Sequence, residues 1–256
     1  MQTLHSTILG EGQPLLILHG FLGMSDNWKS LGLKYAEAGL QVHLIDQRNH
    51  GKSFHAAAFN YDILANDIKE YIAQNQLENC IVLGHSMGGK TAMQLACSYP
   101  DLVSKLLIAD IAPKYYPAHH HDIINGLQAL DLNTITSRTA ASEALSRHIA
   151  NKGVRQFLLK NLYWIEKGKL AFRFNLEVLA DRMEEIGENI GASAIYNKPT
   201  LFLRGDKSEY ISPQDEDLIK RHFPKATITT ISNAGHWLHA ENPKEFLEKS
   251  LIFIKN

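Results

Sequence analysis

Residues Ile81 to Lys90, "IVLGHSMGGK", set one hydroxyl between glycines directly after an apolar run. The run has the length and apolar content of a buried strand, and residues 87 to 98 have the length of a helix, with Pro100 marking its end. Gly84, Ser86 and Gly88 then form a G-x-S-x-G turn, in which the serine takes strained backbone angles and the glycines leave room where a Cβ collides. Such a turn lifts Ser86 out of the sheet. It also sets the hydroxyl at a helix N-terminus, where free N–H groups and the helix dipole favour negative charge. A serine between turn glycines is also a common helix cap, so the surrounding chain has to decide.

Around this stretch, short β-branched and leucine-rich runs alternate with segments of helical period, the pattern of a mostly parallel sheet covered by helices. Residues 2 to 9 and 14 to 18 suggest a hairpin about Gly10-Glu11-Gly12, followed by a helix over about 27 to 38 and the strand "VHLID". After the loop "QRNHGKS", Ile63, Leu64, Ile68, Tyr71 and Ile72 recur at three- and four-residue spacing, a helix for which Asn60 is the expected cap. The strand "KLLIAD" completes the first half.

From about 114 to 190 the pattern changes to successive helical segments, with one aromatic patch, "LYWIEKGKLAFRF", as a short hairpin or loop. The strand–helix rhythm returns with "TLFLRG", a helix after Pro213, "TITTIS" and a last helix from Pro243. The expected organisation is an α/β core built from 1–113 and 191–256, with a helical cap, 114–190, inserted into it.

The whole chain narrows the choice of partners. Its 256 residues are 45% hydrophobic and 21% charged, and its 26 basic and 27 acidic side chains leave a formal net charge of -1. Nothing in that balance suggests nucleic acid or an anionic membrane as the main partner. No apolar run approaches the roughly 20 residues of a membrane span, and the N-terminus lacks the basic and apolar regions of a secretory signal. Cys80 and Cys97 are expected as reduced, buried thiols. A cytoplasmic location is the expectation, and the oligomeric state is not legible.

If Ser86 is a nucleophile it needs oxyanion donors, a base and an acid. His19-Gly20-Phe21 leaves the second strand beside the turn, so the Phe21 and Met87 N–H groups are the candidate oxyanion hole; a simple glycine turn is the other reading. Each such donor is typically worth roughly 3 to 4 kcal/mol of transition-state stabilisation. His236 stands in "SNAGHWLHAENP", where the chain returns over the sheet after the final strand, and is the candidate base. His239 is expected to be structural, and His85 to pack on the other side of the turn. Asn49 and His50 are expected to shape their loop, and Lys90 to lie on a helix surface.

For the acid, Asp110 at the end of "KLLIAD" and Asp206 after "TLFLRG" both remain open, because such a triad is defined by geometry and role. Tyr115, Tyr116, Tyr163 and Trp164 of the cap are candidate pocket-lining residues. "HHHD", His119 to Asp122, invites a metal, but adjacent histidines point in different directions, so a closed ligand set is not expected; acyl transfer through a serine, a base and an acid needs no metal or organic cofactor.

Taken together, H-G-F at 19–21, D-x-R-x-x-G-x-S at Asp46 to Ser53, G-H-S-M-G-G and the late G-H resemble the α/β-hydrolase superfamily over essentially the whole chain. Within it, "GHSMGGK", "DQRNHGKS", "ADIAP" and "NAGHWLHAE" resemble the YbfF-type bacterial esterases. That resemblance implies hydrolysis of small acyl esters or acyl-CoA thioesters. The commoner superfamily acid stands three places after the glycine of "TLFLRG", which here is Ser208, a residue without charge. The subgroup resemblance therefore points to Asp110 as the acid and implies that Ser208 adds a hydrogen bond to the site. A serine nucleophile argues against haloalkane dehalogenase and epoxide hydrolase chemistry. Carbon–carbon bond hydrolysis, cofactor-free perhydrolysis and a ligand receptor on a hydrolase scaffold remain as alternatives.

Overall fold

A computed structural model of the chain describes residues 2–117 and 120–256. Its core is a seven-stranded sheet. The first five strands are β1 (Ser6–Leu9), β2 (Gln13–Leu18), β3 (Leu40–Ile45), β4 (Cys80–His85) and β5 (Val103–Ala109). Helices α1 (Lys29–Glu37), α2 (Tyr61–Gln74) and α3 (Met87–Ser98) lie between β2 and β5.

After β5 the chain leaves the sheet for α4 (His121–Gln128), α5 (Arg138–Leu145), α6 (Lys152–Leu159), the hairpin β6 (Leu162–Glu166) and β7 (Lys169–Phe172), then α7 (Leu176–Asp181) and α8 (Met183–Gly187). It returns with β8 (Thr200–Gly205), α9 (Glu216–His222), β9 (Ala226–Ile231), α10 (Leu238–Glu241) and α11 (Pro243–Lys255). The aromatic patch thus forms the hairpin β6–β7. Among the described residues no helix is long and apolar enough to cross a membrane.

Strand order is β1-β3-β2-β4-β5-β8-β9, and every pairing is parallel except β1 with β3. The expected hairpin of the first two strands is therefore a correction: β1 and β2 lie on opposite sides of β3. The glycine turn crosses the end of β3 instead of folding back. A Cβ on Gly10 would sit 2.6 Å from the Leu40 carbonyl oxygen and one on Gly12 2.3 Å from that of Gly39, and both glycines have positive φ. Close backbone approach, not hairpin geometry, selects glycine there.

Side-chain alternation along the strands feeds two apolar layers. Val82 and Leu106 pack on one face with Ile68 and Met93, while Ile81, Leu83 and Leu107 pack on the other with Trp28, Tyr35 and Phe246. Helix α2 begins where Asn60 Oδ1 accepts the Ile63 N–H at 2.9 Å, as expected of its cap. It buries Leu64, Ala65, Ile68, Tyr71 and Ile72, each large side chain contributing roughly 1.5–3 kcal/mol. That packing outweighs differences in helix propensity of about 0.7 kcal/mol per residue.

A third cluster joins Phe21, Tyr61, Leu64 and Met87 of the sheet layer to Ile124, Leu127, Leu145, Leu158 and Leu179 of the segment between β5 and β8. The inserted helices therefore roof the end of β4 where Ser86 sits.

Lys90 differs from expectation. It is fully buried, because α3 is covered on the side where the inserted segment begins and ends. Its Nζ donates to the carbonyl oxygens of Lys114, at 2.6 Å, Gly187, at 3.3 Å, and Glu188. The Tyr116 and Tyr61 rings lie 5.0 and 5.7 Å from the ammonium. Burial pulls its pKa down to about 7.

Candidate active site

Ser86 has φ 53° and ψ -119° at the junction of β4 and α3. Its N–H donates to the Ala109 carbonyl at 3.1 Å and its own carbonyl accepts from Lys90 N–H at 3.0 Å, so backbone bonds on both sides hold a left-handed conformation that costs of order 1–3 kcal/mol. The flanking glycines are sterically required. A Cβ on Gly84 would meet the Gly88 carbonyl oxygen at 2.1 Å, and one on Gly88 the Leu18 carbonyl oxygen at 2.3 Å.

The neighbouring strand ends in a second strained residue. Asp110 has φ 54°, and its N–H donates to the Leu203 carbonyl at 2.8 Å. Its carboxylate is fully buried. Oδ1 accepts the Gly205 N–H at 3.1 Å, and Oδ2 accepts both the Ser208 hydroxyl and, at 2.8 Å, the Nδ1–H of His236. Burial pushes the carboxyl pKa up to about 7, against the pull of the Ser208 and Gly205 hydrogen bonds.

Asp206 lies elsewhere. Its exposed carboxylate accepts the N–H groups of Asn233 and Ala234, both at 2.9 Å, shaping the turn that leads into the His236 loop. Those bonds hold its pKa below the usual carboxylate value.

His236 is fixed from three directions. Asp110 accepts its Nδ1–H, the Tyr210 ring stacks on it at 3.8 Å and 15°, and its backbone carbonyl accepts the His85 Nε2–H at 2.8 Å. His85 thus lines the Ser86 cavity, where it was expected to pack on the other side of the turn, and its ring lies against the Gly20 backbone: a Cβ there would lie 2.8 Å from His85 Nδ1. Burial lowers the His85 pKa to about 3, so the ring is neutral. His239 stacks on Trp28 at 4.1 Å, in keeping with a structural role.

Ser86 and His236 line one cavity of about 70 Å³ together with Phe21, His120, Ile123, Phe157 and Trp237. A crevice of about 20 Å³ opens on the other side of Ser86, walled by Met87, Tyr61, Tyr116, Met183 and Tyr210. Among the described residues the N–H groups of Phe21 and Met87 have no protein acceptor. The loop carrying Phe21 is held by His50, whose Nε2 accepts the Leu22 N–H at 3.2 Å. Asn49, with φ 63°, accepts the Ala56 N–H at 2.9 Å, so both residues shape their loops.

Of the four aromatic residues expected at the pocket, Tyr116 borders Ser86. Tyr163 instead walls a separate cleft, and Tyr115 and Trp164, 48% and 49% exposed, line neither space at Ser86. The hairpin turns Tyr163 and Trp164 of β6 away from Ser86, and Tyr115 lies outside the hairpin, exposed on the segment that follows β5. His119 lies outside the described residues, while the His120 ring packs edge-on against Phe21 at 5.2 Å. Phe157 and Trp237, with ring centroids 5.6 Å apart, form a wall the sequence did not single out. Trp237 follows His236 directly, which was a signal within reach; Phe157 had none beyond helical period.

A seven-stranded, mostly parallel sheet with a serine at the strained β4–α3 turn defines a class. A model of the alpha/beta hydrolase fold matches residues 13–149, over half of the 256 residues; the chain belongs to this family and is a hydrolase. Its relatives include the Danio rerio sn-1-specific diacylglycerol lipase ABHD11, 37% identical over 253 residues, which are 96% of this chain and 80% of that protein. Esterase YbfF of Escherichia coli (strain K12) is 35% identical over 240 residues, 93% of this chain and 91% of that one. Among solved structures, a marine microorganism esterase matches with a TM-score of 0.95 and 42% identity, covering 99% of this chain and 100% of its own. The resemblance to YbfF-type esterases drawn from the motifs is thereby supported.

Proposed function

We propose that the chain is a serine esterase acting on small acyl esters, with Ser86 as nucleophile, His236 as general base and Asp110 as the acid that orients it. The observation that carries this reading is the Asp110–His236 hydrogen bond at 2.8 Å beside a cavity that His236 shares with Ser86. With Nδ1–H committed to the carboxylate, the lone pair of the imidazole sits on Nε2, the tautomer that accepts a serine proton. Ser86 then attacks the acyl carbonyl, and the oxyanion forms against the Phe21 and Met87 N–H groups. His236 passes the proton to the leaving alcohol, and water repeats the cycle on the acyl-enzyme.

Ser208 is the accessory donor that keeps Asp110 ionisable in its buried position. The named activities of the relatives, an esterase and a diacylglycerol lipase, favour an oxyester. Space beside Ser86 favours a short acyl group, since about 90 Å³ across both cavities holds only a handful of atoms unless the roof moves.

The test is steady-state hydrolysis of matched acyl chains, short to long, each offered as an oxyester and as a CoA thioester, with Ser86→Ala as background. Ser86-dependent turnover of short oxyesters is expected. A preference for the CoA series makes the chain a thioesterase instead, and no Ser86-dependent turnover with either sinks the esterase reading.

A further inference from the structure

The chain is close to neutral, yet one surface cleft gathers cations. It has a volume of about 400 Å³ and lies along the seam between the sheet layer and the inserted segment. Lys29 and Lys52 face it from the sheet side, and Arg138, Lys160 and Arg173 from the inserted side; Asp26 and Asp46 are the carboxylates in its lining. Five cations against two carboxylates leave a surplus of three positive charges, in a chain whose total is -1.

Asp46, already counted in that balance, is committed to groups of the sheet layer. It is buried, and its oxygens accept the Ser25 N–H at 2.7 Å, the Lys52 N–H at 2.9 Å and a contact from the His5 ring at 3.1 Å. Lys29, Lys52 and Lys160 enter no ion pair among the described residues.

The two guanidinium groups are held in place. Arg138 Nη2 donates to the Leu162 carbonyl at 2.6 Å, and Arg173 lies over the Tyr163 ring at 4.6 Å. Both retain free N–H donors, and a planar fork of fixed donors matches phosphate oxygens. The cleft is separate from the Ser86 cavity: Gly23, Asn27 and Leu158 line the latter, whereas Met24, Asp26 and Lys160 line the former.

We propose that this seam is a binding site for a phosphate-bearing small molecule, held between Lys29 and Lys52 on one side and Arg138, Lys160 and Arg173 on the other. The lining of cations and carboxylates opposes an acyl chain, and a volume above 300 Å³ is that of a small-molecule site. An anion there bridges two rows of like charge that otherwise repel, so binding ties the inserted segment to the sheet layer. The site is independent of the esterase reading, since binding is measured without turnover.

Calorimetric titration of the full chain with inorganic pyrophosphate at low salt tests the site, with Lys52→Gln/Lys160→Gln as the variant and Lys225→Gln/Lys244→Gln as an exposed control outside the cleft. All four lysines are exposed, so neither double lowers the melting temperature. Saturable binding with Kd below about 1 mM is expected, weakened at least about tenfold by the first double substitution and less than about twofold by the second. No saturation up to about 10 mM, or equal losses in both variants, overturns the site. Sedimentation with phosphatidylglycerol and phosphatidylcholine vesicles assigns the source. Lys52- and Lys160-dependent capture by the first alone makes the phosphate a lipid headgroup, and pyrophosphate binding without capture makes it a soluble molecule.

Discussion

Replacing Asp110 by Asn separates catalysis from stability in one substitution. The carboxylate is fully buried and lies 2.8 Å from His236 Nδ1, which puts the two charge centres about 4 Å apart when the imidazolium forms. At an effective dielectric of about 20 that attraction is worth roughly 4 kcal/mol, so losing it lowers kcat about 10³-fold. The amide can also present its NH₂ to the imidazole and favour the wrong tautomer, which takes the loss toward about 10⁴-fold. Asp206→Asn, on an exposed turn, is expected to stay within about threefold of wild type.

Stability moves the other way. Burial raises the Asp110 pKa from 3.8 to about 7, so between those values the folded chain binds more protons than the unfolded one. Its contribution to stability therefore falls as pH rises from about 4 to 7 and stays unfavourable above. Asp110→Asn removes that cost, and its melting temperature should exceed wild type at pH 8 by several degrees while the difference shrinks at pH 4.5. The assay is kcat for a short oxyester alongside thermal melts at both pH values. Retained kcat in Asp110→Asn with a large loss in Asp206→Asn would move the role of the acid to Asp206.

Three further substitutions probe the surroundings. Ser208→Ala removes a donor that lowers the Asp110 pKa; kcat should fall about tenfold, and the acidic limb of the kcat/KM profile should move to higher pH. Lys90→Met removes a buried ammonium whose pKa is pulled from 10.5 down to about 7. Between those values the unfolded chain binds the extra proton, so wild-type stability gains with pH. Melts at pH 7 and 9.5 should show the wild-type melting temperature rising relative to the variant, and a constant difference would refute it. Phe157→Ala opens the wall of the Ser86 cavity and should shift the preferred acyl chain to greater length, read as kcat/KM across the ester series; an unchanged optimum places the acyl group elsewhere.

The sheet was legible because buried parallel strands are apolar along their whole length and the turn at Ser86 needs glycines at fixed places. Local pattern also found the Asn60 cap and the β4–α3 junction. What it missed depends on partners distant in sequence. Gly10 and Gly12 read as a hairpin because their approach to Gly39 and Leu40 is invisible along the chain. Lys90 read as a surface residue because nothing local shows that carbonyls nearly a hundred residues away, at 187 and 188, cover it. Aromatic residues in the inserted segment were visible as a group, but the direction in which a hairpin turns them was not, and only Tyr116 reached Ser86. Asp110 and Asp206 each end a strand or follow one directly, and their separation in role rests on which carboxylate meets His236.

The most direct test of the account is mass spectrometry of the intact chain after rapid quenching with a slowly hydrolysed activated ester, followed by peptide mapping. One acyl group is expected, on the peptide containing Ser86, lost in Ser86→Ala and accumulating far more slowly in Asp110→Asn. Acylation of another residue, or turnover in Ser86→Ala at the wild-type rate, would contradict it.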